Sequence, residues 1–247
     1  MNRFFVEHIQ ISENLIFLDD PKQLHHLRDV LRVRPSEKIG IFDNSGNDYI
    51  VLVKEIGLSS AKLELMEKRM HDQPGLKITI ACAIPKNAKM DDIIDKLTQL
   101  GVECIIPLET ERVIVKLSRQ KKIERLERWN KIALSAAKQS QRSRLPVIKA
   151  VSGLKEIIAR AGDFPLKLIP TLEGERKTLK ALIHSAPKDI NSIMVLIGPE
   201  GDFSPEEIAL SKSAGFQPVS LGRQVLRVDT AAIAVVSFIK LNEPCAL

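Results

Sequence analysis

The sequence predicts an α/β protein, a mostly parallel sheet with helices on both faces, preceded by a small β-barrel. Two observations carry this. Over residues 1–72, short strand-like runs recur around one helical stretch with turn residues between them. From Lys77 onward, strand-like runs alternate with longer helical ones, as in a parallel sheet covered on both sides.

Taken in order, RFFVEHI, LIFL, KIGIFD, DYIVLVKEI and AKLELME read as strands, with KQLHHLRDVLRV as the helix among them and FDNSGNDY as a hairpin turn. The Pro-Gly pair in MHDQPGLK marks the expected interdomain linker, giving domains 1–72 and 73–247. KITIACAIP then precedes a helix whose Met90, Ile93, Ile94, Leu97 and Leu100 share one face. Next come the strand CIIPLE, a long basic helix over residues 120–138, the short helix GLKEIIARA, the strand LKLIPTLE and the helix RKTLKALIHS. The strand IMVLIGPEG, the helix PEEIALSKSAG, the strand PVSLG and a terminal helix complete the alternation. That last helix is apolar nearly all round (Ala231 to Val236, Phe238, Ile239), so it is expected to be enclosed on every side.

Composition excludes several classes. Apolar residues at 44% and charged residues at 28% of 247 fit a globular chain with room for two cores. No apolar run reaches the roughly 18 residues of a membrane span, and MNRFFVEHIQISEN lacks a signal-like pattern, so a cytoplasmic location is expected. Cys82, Cys104 and Cys245 are isolated and without ligand spacing, which predicts neither disulfides nor a metal site. The net charge of +6 is local: residues 1–72 hold 10 basic and 12 acidic residues, whereas residues 116–144 hold ten basic residues against Glu124 and Glu127. Such a stretch suits phosphate contacts, and a solvated helix face explains it equally.

Ligands of parallel sheets sit beyond the carboxyl ends of the strands, which directs attention to PTLE (170–173), IGPEG (197–201) and SLGRQVLRVDTA (220–231). IGPEG is not a phosphate loop. Its helix starts later, with Ser204 as cap, Pro205 in the first turn and Glu207 completing a capping box, and Glu200 places a carboxylate where a phosphate would bind. No GxGxxG or GxxxxGK[ST] occurs. A ligand that approaches backbone closely but is neutral or partly cationic fits better; a plain strand-to-helix turn with glycines also accounts for the loop. LGRQVLRVDTA offers backbone donors and acceptors suited to an adenine edge and a ribose, with Arg223 and Arg227 beside them. No GxSxG, HExxH or paired carboxylates are present, and the five histidines are scattered, which leaves open a transfer that needs positioning more than acid–base machinery.

LIGPEGDFSPEE followed by LGRQVLRVDTAAIAVVSFI closely resembles the RsmE-type 16S ribosomal RNA uridine-N3 methyltransferases of the knotted SPOUT superfamily. HHLRDVLRVRPSE, KLTQLGVECIIPLETERVIVK and AAKQSQRSRLPVI extend the resemblance over nearly the whole chain. Asp202 stands where a third glycine is common, and Val228-Asp229 where Thr-Glu is usual. The resemblance implies a PUA-like barrel, a SPOUT domain with a trefoil knot, a homodimer, and S-adenosylmethionine in the knot. The implied cofactor residues are Leu172, Ile197, Gly198, Gly201, Leu221, Gly222, Val225, Leu226 and Thr230.

Uridine N3 carries a proton that must leave, which makes Glu200 the first candidate base and Asp229 the second. Arg227 or Arg223 would stabilise the anionic uracil. The expected partner is 16S ribosomal RNA or the small ribosomal subunit, contacted by Arg28, Arg32, Arg34, Arg112, Arg142, Arg144 and Arg223, with no membrane and no metal. Aromatic content of only 4% points to phosphate and shape contacts rather than base stacking. Two other readings stay open on the residues alone: a knotted enzyme acting on tRNA or a ribose 2′-hydroxyl, and an RNA-binding assembly factor without catalysis.

Overall fold

A computed structural model describes residues 3–7, 9–70, 75–86, 89–113, 117–172, 174–187 and 189–242. His8, Cys245 and residues 71–74, half of the expected linker and including His71, lie outside the described residues. The chain forms two compact units, Met1–Gln73 with Ala137–Leu145, and Pro74–Ala136 with Pro146–Leu247. The return of residues 137–145 to the first unit leaves no mark in the local sequence pattern.

The first unit contains β1 (Arg3–Phe5), β2 (Ile11–Ser12), β3 (Leu15–Leu18), α1 (Pro21–His25), β4 (Lys38–Phe42), β5 (Asn47–Ile56) and β6 (Ala61–Met70). Asp20 caps α1 by accepting from Gln23 N, and Pro21 starts it. The expected single helix KQLHHLRDVLRV instead passes after His25 into a π-helical turn over His26–Val30. The strands make one sheet in the order β1-β4-β5-β6-β3-β2, antiparallel except that β1 runs parallel to β4. Alternate residues of β5 (Tyr49, Val51, Val53) point into a core with Ile16, Leu27, Ile39 and Leu63. One polar node ties the returning segment to this sheet. Arg3 donates to the carbonyls of Ala137 (3.2 Å) and Arg142 (2.8 Å), to Asp48 Oδ1 (2.5 Å) and to Ser143 Oγ (2.9 Å). Ser143 Oγ donates to Asp48 Oδ1 at 2.6 Å, and Leu145 N donates to Asn44 Oδ1 of the β4–β5 turn.

The second unit runs β7 (Lys77–Ala83), α2 (Lys89–Gln99), β8 (Cys104–Glu109), α3 (Arg119–Gln139, whose last residues count with the first unit), β9 (Val147–Ile148), β10 (Ser152–Gly153) and α4 (Leu154–Ala159). It continues with β11 (Leu166–Pro170), β12 (Lys177–Thr178), α5 (Leu179–Ser185), β13 (Ser192–Ile197), α6 (Pro205–Ser213), β14 (Gln217–Ser220) and α7 (Val228–Leu241). The stretch expected as the helix RKTLKALIHS begins as the two-residue strand β12 and turns helical at Leu179, where Thr178 caps it. All strand pairs are parallel, in the order β10-β8-β7-β13-β11-β14-β12, with β9 also on β8.

Helices cover both faces. Along β13, Ile193, Val195 and Ile197 enter the core shared with α2, α5 and α7, while Met194 and Leu196 enter the opposite core with Leu154, Ile157, Phe203 and Phe216. Helix α7 packs on α2, β7 and β13 through Ala232, Val235, Val236 and Ile239. It is not enclosed on every side: Ala234 and Leu241 are exposed and Phe238 half-buried, one stripe at helical spacing that this chain alone leaves uncovered.

Trp129 on α3 is fully buried and donates from Nε1 to Asp91 Oδ1 on α2 at 3.1 Å, so it joins packing and a hydrogen bond in one side chain. Trp129→Ala is expected to cost about 3–5 kcal/mol of stability, and Trp129→Phe less, as measured by urea unfolding followed by far-UV circular dichroism. Equal stabilities of the wild type and the alanine variant would contradict the packing described.

Candidate active site

The strand order places β11 between β13 and β14, so three segments distant in sequence end side by side. A cleft opens there. Its walls are Thr171 and Leu172 after β11, the Gly198–Asp202 turn after β13, and the run from Leu221 that leads through Val225 to the start of α7. The three ends carry backbone groups beyond the last ladder pairs, and apolar side chains such as Ile197, Leu226 and Val228 form the floor.

The loops are held by ties between them. Asp202 adopts a left-handed backbone (φ +58°), and its carboxylate accepts from Leu172 N (Oδ2, 2.7 Å) and from Phe203 N (Oδ1, 2.8 Å), joining the β11 and β13 ends. Aspartate tolerates this conformation better than most side chains, which is why it can stand where glycine is common. Arg176 Nη1 donates to Thr171 O at 2.9 Å. Arg112 Nη1 reaches Gly201 O at 2.8 Å and Phe203 O at 3.3 Å. The capping box forms as the sequence predicts: Glu207 N donates to Ser204 Oγ, and Ser204 N donates to Glu207 Oε2. Glu207 does a second job, since its Oε1 accepts from Glu111 N beyond β8 at 2.9 Å.

The cleft brings together seven of the nine expected cofactor residues: Leu172, Ile197, Gly198, Leu221, Gly222, Val225 and Leu226. Gly201 lies instead in an adjoining groove with Arg112 and Phe203, and Thr230 is exposed on α7, outside the cleft lining. Gly198 lines the cleft and is also required by packing. A Cβ there would sit 2.9 Å from the Phe203 ring. Gly222, at φ +123°, has a backbone that other residues rarely adopt.

Glu200 is exposed on the cleft wall, with Oε1 3.5 Å from Lys86 N. Asp229, in the first turn of α7, has Oδ2 3.9 Å from Lys89 Nζ, while its Oδ1 is buried and receives no hydrogen bond. Both carboxylates act on Cys82 at the end of β7, where burial first and then Asp229 and Glu200 push the thiol pKa far up. Arg227 and Arg223 are exposed and do not line the cleft. Thr171, Arg176, Asp202 and Gln224 are among the cleft-lining residues that sequence reasoning did not name as site residues. Only Asp202 carried a signal, its departure from glycine.

Of the expected RNA residues, Arg32 and Arg34 are exposed. Arg28 is paired twice with Asp29, whose carboxyl it holds down to about 2. Arg112 is fastened to the Gly201 and Phe203 carbonyls. Arg142 is only 8% exposed, and the Arg144 guanidinium packs against Gly46.

Residues 72–240 match the family described as RNA methyltransferase domain, and residues 18–66 the one described as RNA methyltransferase PUA domain. Fold and cleft thus define an RNA methyltransferase with an appended PUA-type unit. Ribosomal RNA small subunit methyltransferase E of Mesomycoplasma hyopneumoniae is 33% identical over 94% of this chain and 96% of the relative. The Synechocystis protein of that name is 33% identical over 93% of this chain and 74% of its own length. The crystal structure of the Neisseria gonorrhoeae ribosomal RNA small subunit methyltransferase E bound to S-adenosyl methionine superposes with a TM-score of 0.82 at 29% identity, covering 98% of this chain and 97% of that one. The chain belongs to the ribosomal RNA small subunit methyltransferase E family.

Gly198→Ala forces Cβ onto Phe203 and is expected to cost about 1–3 kcal/mol, whereas Gly201→Ala, whose Cβ would meet Arg112 at an ordinary 3.9 Å, should be near neutral. Thermal unfolding of the two variants, with Gly198→Ala/Phe203→Leu as partial rescue, checks this.

Proposed function

We propose that this chain methylates N3 of a uridine in 16S ribosomal RNA, using S-adenosylmethionine held in the cleft at the ends of β11, β13 and β14. The observation that carries the reading is the chemistry of that cleft. It offers exposed strand-end backbone and apolar walls for an adenosine, Glu200 and Asp202 for a cationic centre, and Arg176 as the one cation among the described lining residues, suited to a carboxylate. Helix α6 begins only at Pro205, behind its own capping box, so no free helix terminus invites a phosphate. The residues present therefore fit a sulfonium cofactor without phosphate.

Bound S-adenosylmethionine supplies an electrophilic methyl carbon. Alignment contributes most of the rate, through the loops that Asp202, Arg112 and Glu207 tie together. Transfer of that methyl group to N3 would require the N3 proton to leave. The Glu200 carboxylate takes it and passes it to solvent, with Asp229 as the second candidate. Arg227 or Arg223 offsets the charge on the uracil.

Residues 1–72 act in RNA binding and 73–247 in catalysis. The knotted threading and the homodimer expected from the resemblance belong to this proposal, and the uncovered Ala234, Phe238 and Leu241 stripe on α7 supports the homodimer. Among the described residues, no helix is long and apolar enough to cross a membrane, and no three His, Cys, Asp or Glu residues are placed to hold a metal. A cytoplasmic site of action follows from a ribosomal substrate.

Nucleoside mass spectrometry of 16S RNA methylated in vitro should give N3-methyluridine; a 2′-O-methyl product would overturn the assignment. Glu200→Gln should bind S-adenosylmethionine within a few-fold of wild type while transfer slows about 10²–10⁴-fold. An unchanged rate would remove Glu200 as the base. Asp202→Gly relieves the left-handed backbone but loses the tie to Leu172 N, so its thermal stability should hold while cofactor affinity falls about tenfold or more by calorimetry.

A further inference from the structure

The first unit contains a second cavity, on the side of its sheet where the last turn of α3 arrives. Arg3 of β1, Asp48 of β5, Arg69 of β6 and Lys138, Gln139 and Gln141 of the returning segment surround it. Their charges are not equivalent. Arg3 and Asp48 neutralise each other and are fixed by Ser143 and two carbonyls. Arg69 is exposed on the rim and paired with Glu67. Lys138 differs from both: it is partly buried, and no carboxylate lies within ion-pair distance of it among the described residues. Its Nζ lies over the face of the Phe4 ring, 6.0 Å from the ring centroid. Burial lowers its pKa, and its charge in turn helps to lower that of His26.

A half-buried ammonium without a counter-charge is held at a cost that an incoming anion removes. Gln139 and Gln141 add neutral amide donors, and Gln141 is presented on a left-handed backbone (φ +59°) at the end of the helix. One unopposed cation with amides beside it matches a singly charged phosphodiester better than a carboxylate, which a guanidinium fork would take in two bonds. We propose that this cavity, with Lys138 at its centre, binds a backbone phosphate of the RNA substrate. The inference rests on the RNA-methylation reading above and gives the first unit a defined contact, in place of Arg142, which is buried, and Arg144, which packs on Gly46. The competing account is structural: Lys138 sits in the last turn of α3, where a cation favours the helix dipole.

The test compares Lys138→Gln and Lys138→Arg with wild type in the full chain, using a 16S RNA fragment and, separately, inorganic phosphate. Lys138→Gln should weaken RNA binding about tenfold and reduce the slope of log affinity against log salt by about 0.7–0.9. Lys138→Arg should restore most of both. S-adenosylmethionine affinity and turnover at saturating RNA should be unchanged, so the effect falls on KM and not on kcat. NMR of labelled lysine should show the Lys138 ammonium responding to RNA. A Lys138→Gln variant that binds RNA with wild-type affinity and salt slope overturns the proposal. So does a loss of binding matched by a lowered Tm that Lys138→Arg does not restore, which marks a structural lysine. A response of Lys138 to inorganic phosphate with RNA affinity unaffected overturns the RNA assignment. Failure of the wild-type chain to bind or methylate RNA at all would instead overturn the function proposed above.

Discussion

The architecture of the second unit depends on one constraint, the burial of β13 on both faces. Its side chains alternate between two cores, Ile193, Val195 and Ile197 into one and Met194 and Leu196 into the other, so none is left for chemistry along the strand. Its ladder groups are taken by β7 on one side and β11 on the other. Reactive or binding groups can appear only where pairing stops, at the carboxyl end. Because β11 and β14 lie next in the sheet, their ends stop beside it. The cleft is the place where three neighbouring, paired strands run out of partners.

Such an end must then be held open without collapsing, and this chain uses side chains of one loop on the backbone of another. Asp202 binds Leu172 N, and Arg112 binds the carbonyls of Gly201 and Phe203. Glu207 divides one carboxylate between Ser204 N and Glu111 N. Each tie is charge-assisted, which makes it shorter and stronger than a neutral hydrogen bond. The capping box has a further effect. By starting α6 at Pro205 and satisfying its first turn internally, it keeps a positive helix terminus away from the cleft and leaves Glu200 and Asp202 to set the local charge.

What the sequence made legible follows from the reach of its patterns. The near-continuous apolar runs KITIACA and SIMVLI report a strand buried on both faces, and the Ser204–Glu207 box reports a helix start; both are relations within a few residues, and both formed. A strand-end position placed the IGPEG turn in the cleft, and the resemblance named Gly198 and Gly201 for the cofactor; Gly201 lies in the adjoining groove, and the room that Gly198 makes for Phe203 leaves no local sign in the sequence. Arg176 joins the cleft from a loop with no motif. The bonds from Arg112 to Gly201 and from Arg3 to Arg142 span 89 and 139 residues, distances at which one sequence shows no periodicity. The all-apolar pattern of α7 indicated burial but not its limit; the Ala234 and Phe238 stripe is as apolar as the packed face.

The basic stretch over residues 116–144 shows why composition alone misjudges a binding surface. Its surplus of eight charges is not one patch, because the fold uses the cations differently. Lys122 pairs with Glu109, and Arg128 with Asp91. Arg142 is buried, and Arg144 is committed to Gly46 with its Nε unpartnered inside the protein. Each of these cations is already engaged within the fold. An anion gains most where a cation has been partly desolvated and left unpaired, since the protein has then already met the cost of stripping water from the charge. Lys138 meets that condition because the helix carries it into the first unit, where Asp48 is already occupied by Arg3 and Ser143. The pairing of its neighbours, more than the density of positive charge around it, is what makes this position selective for a phosphate.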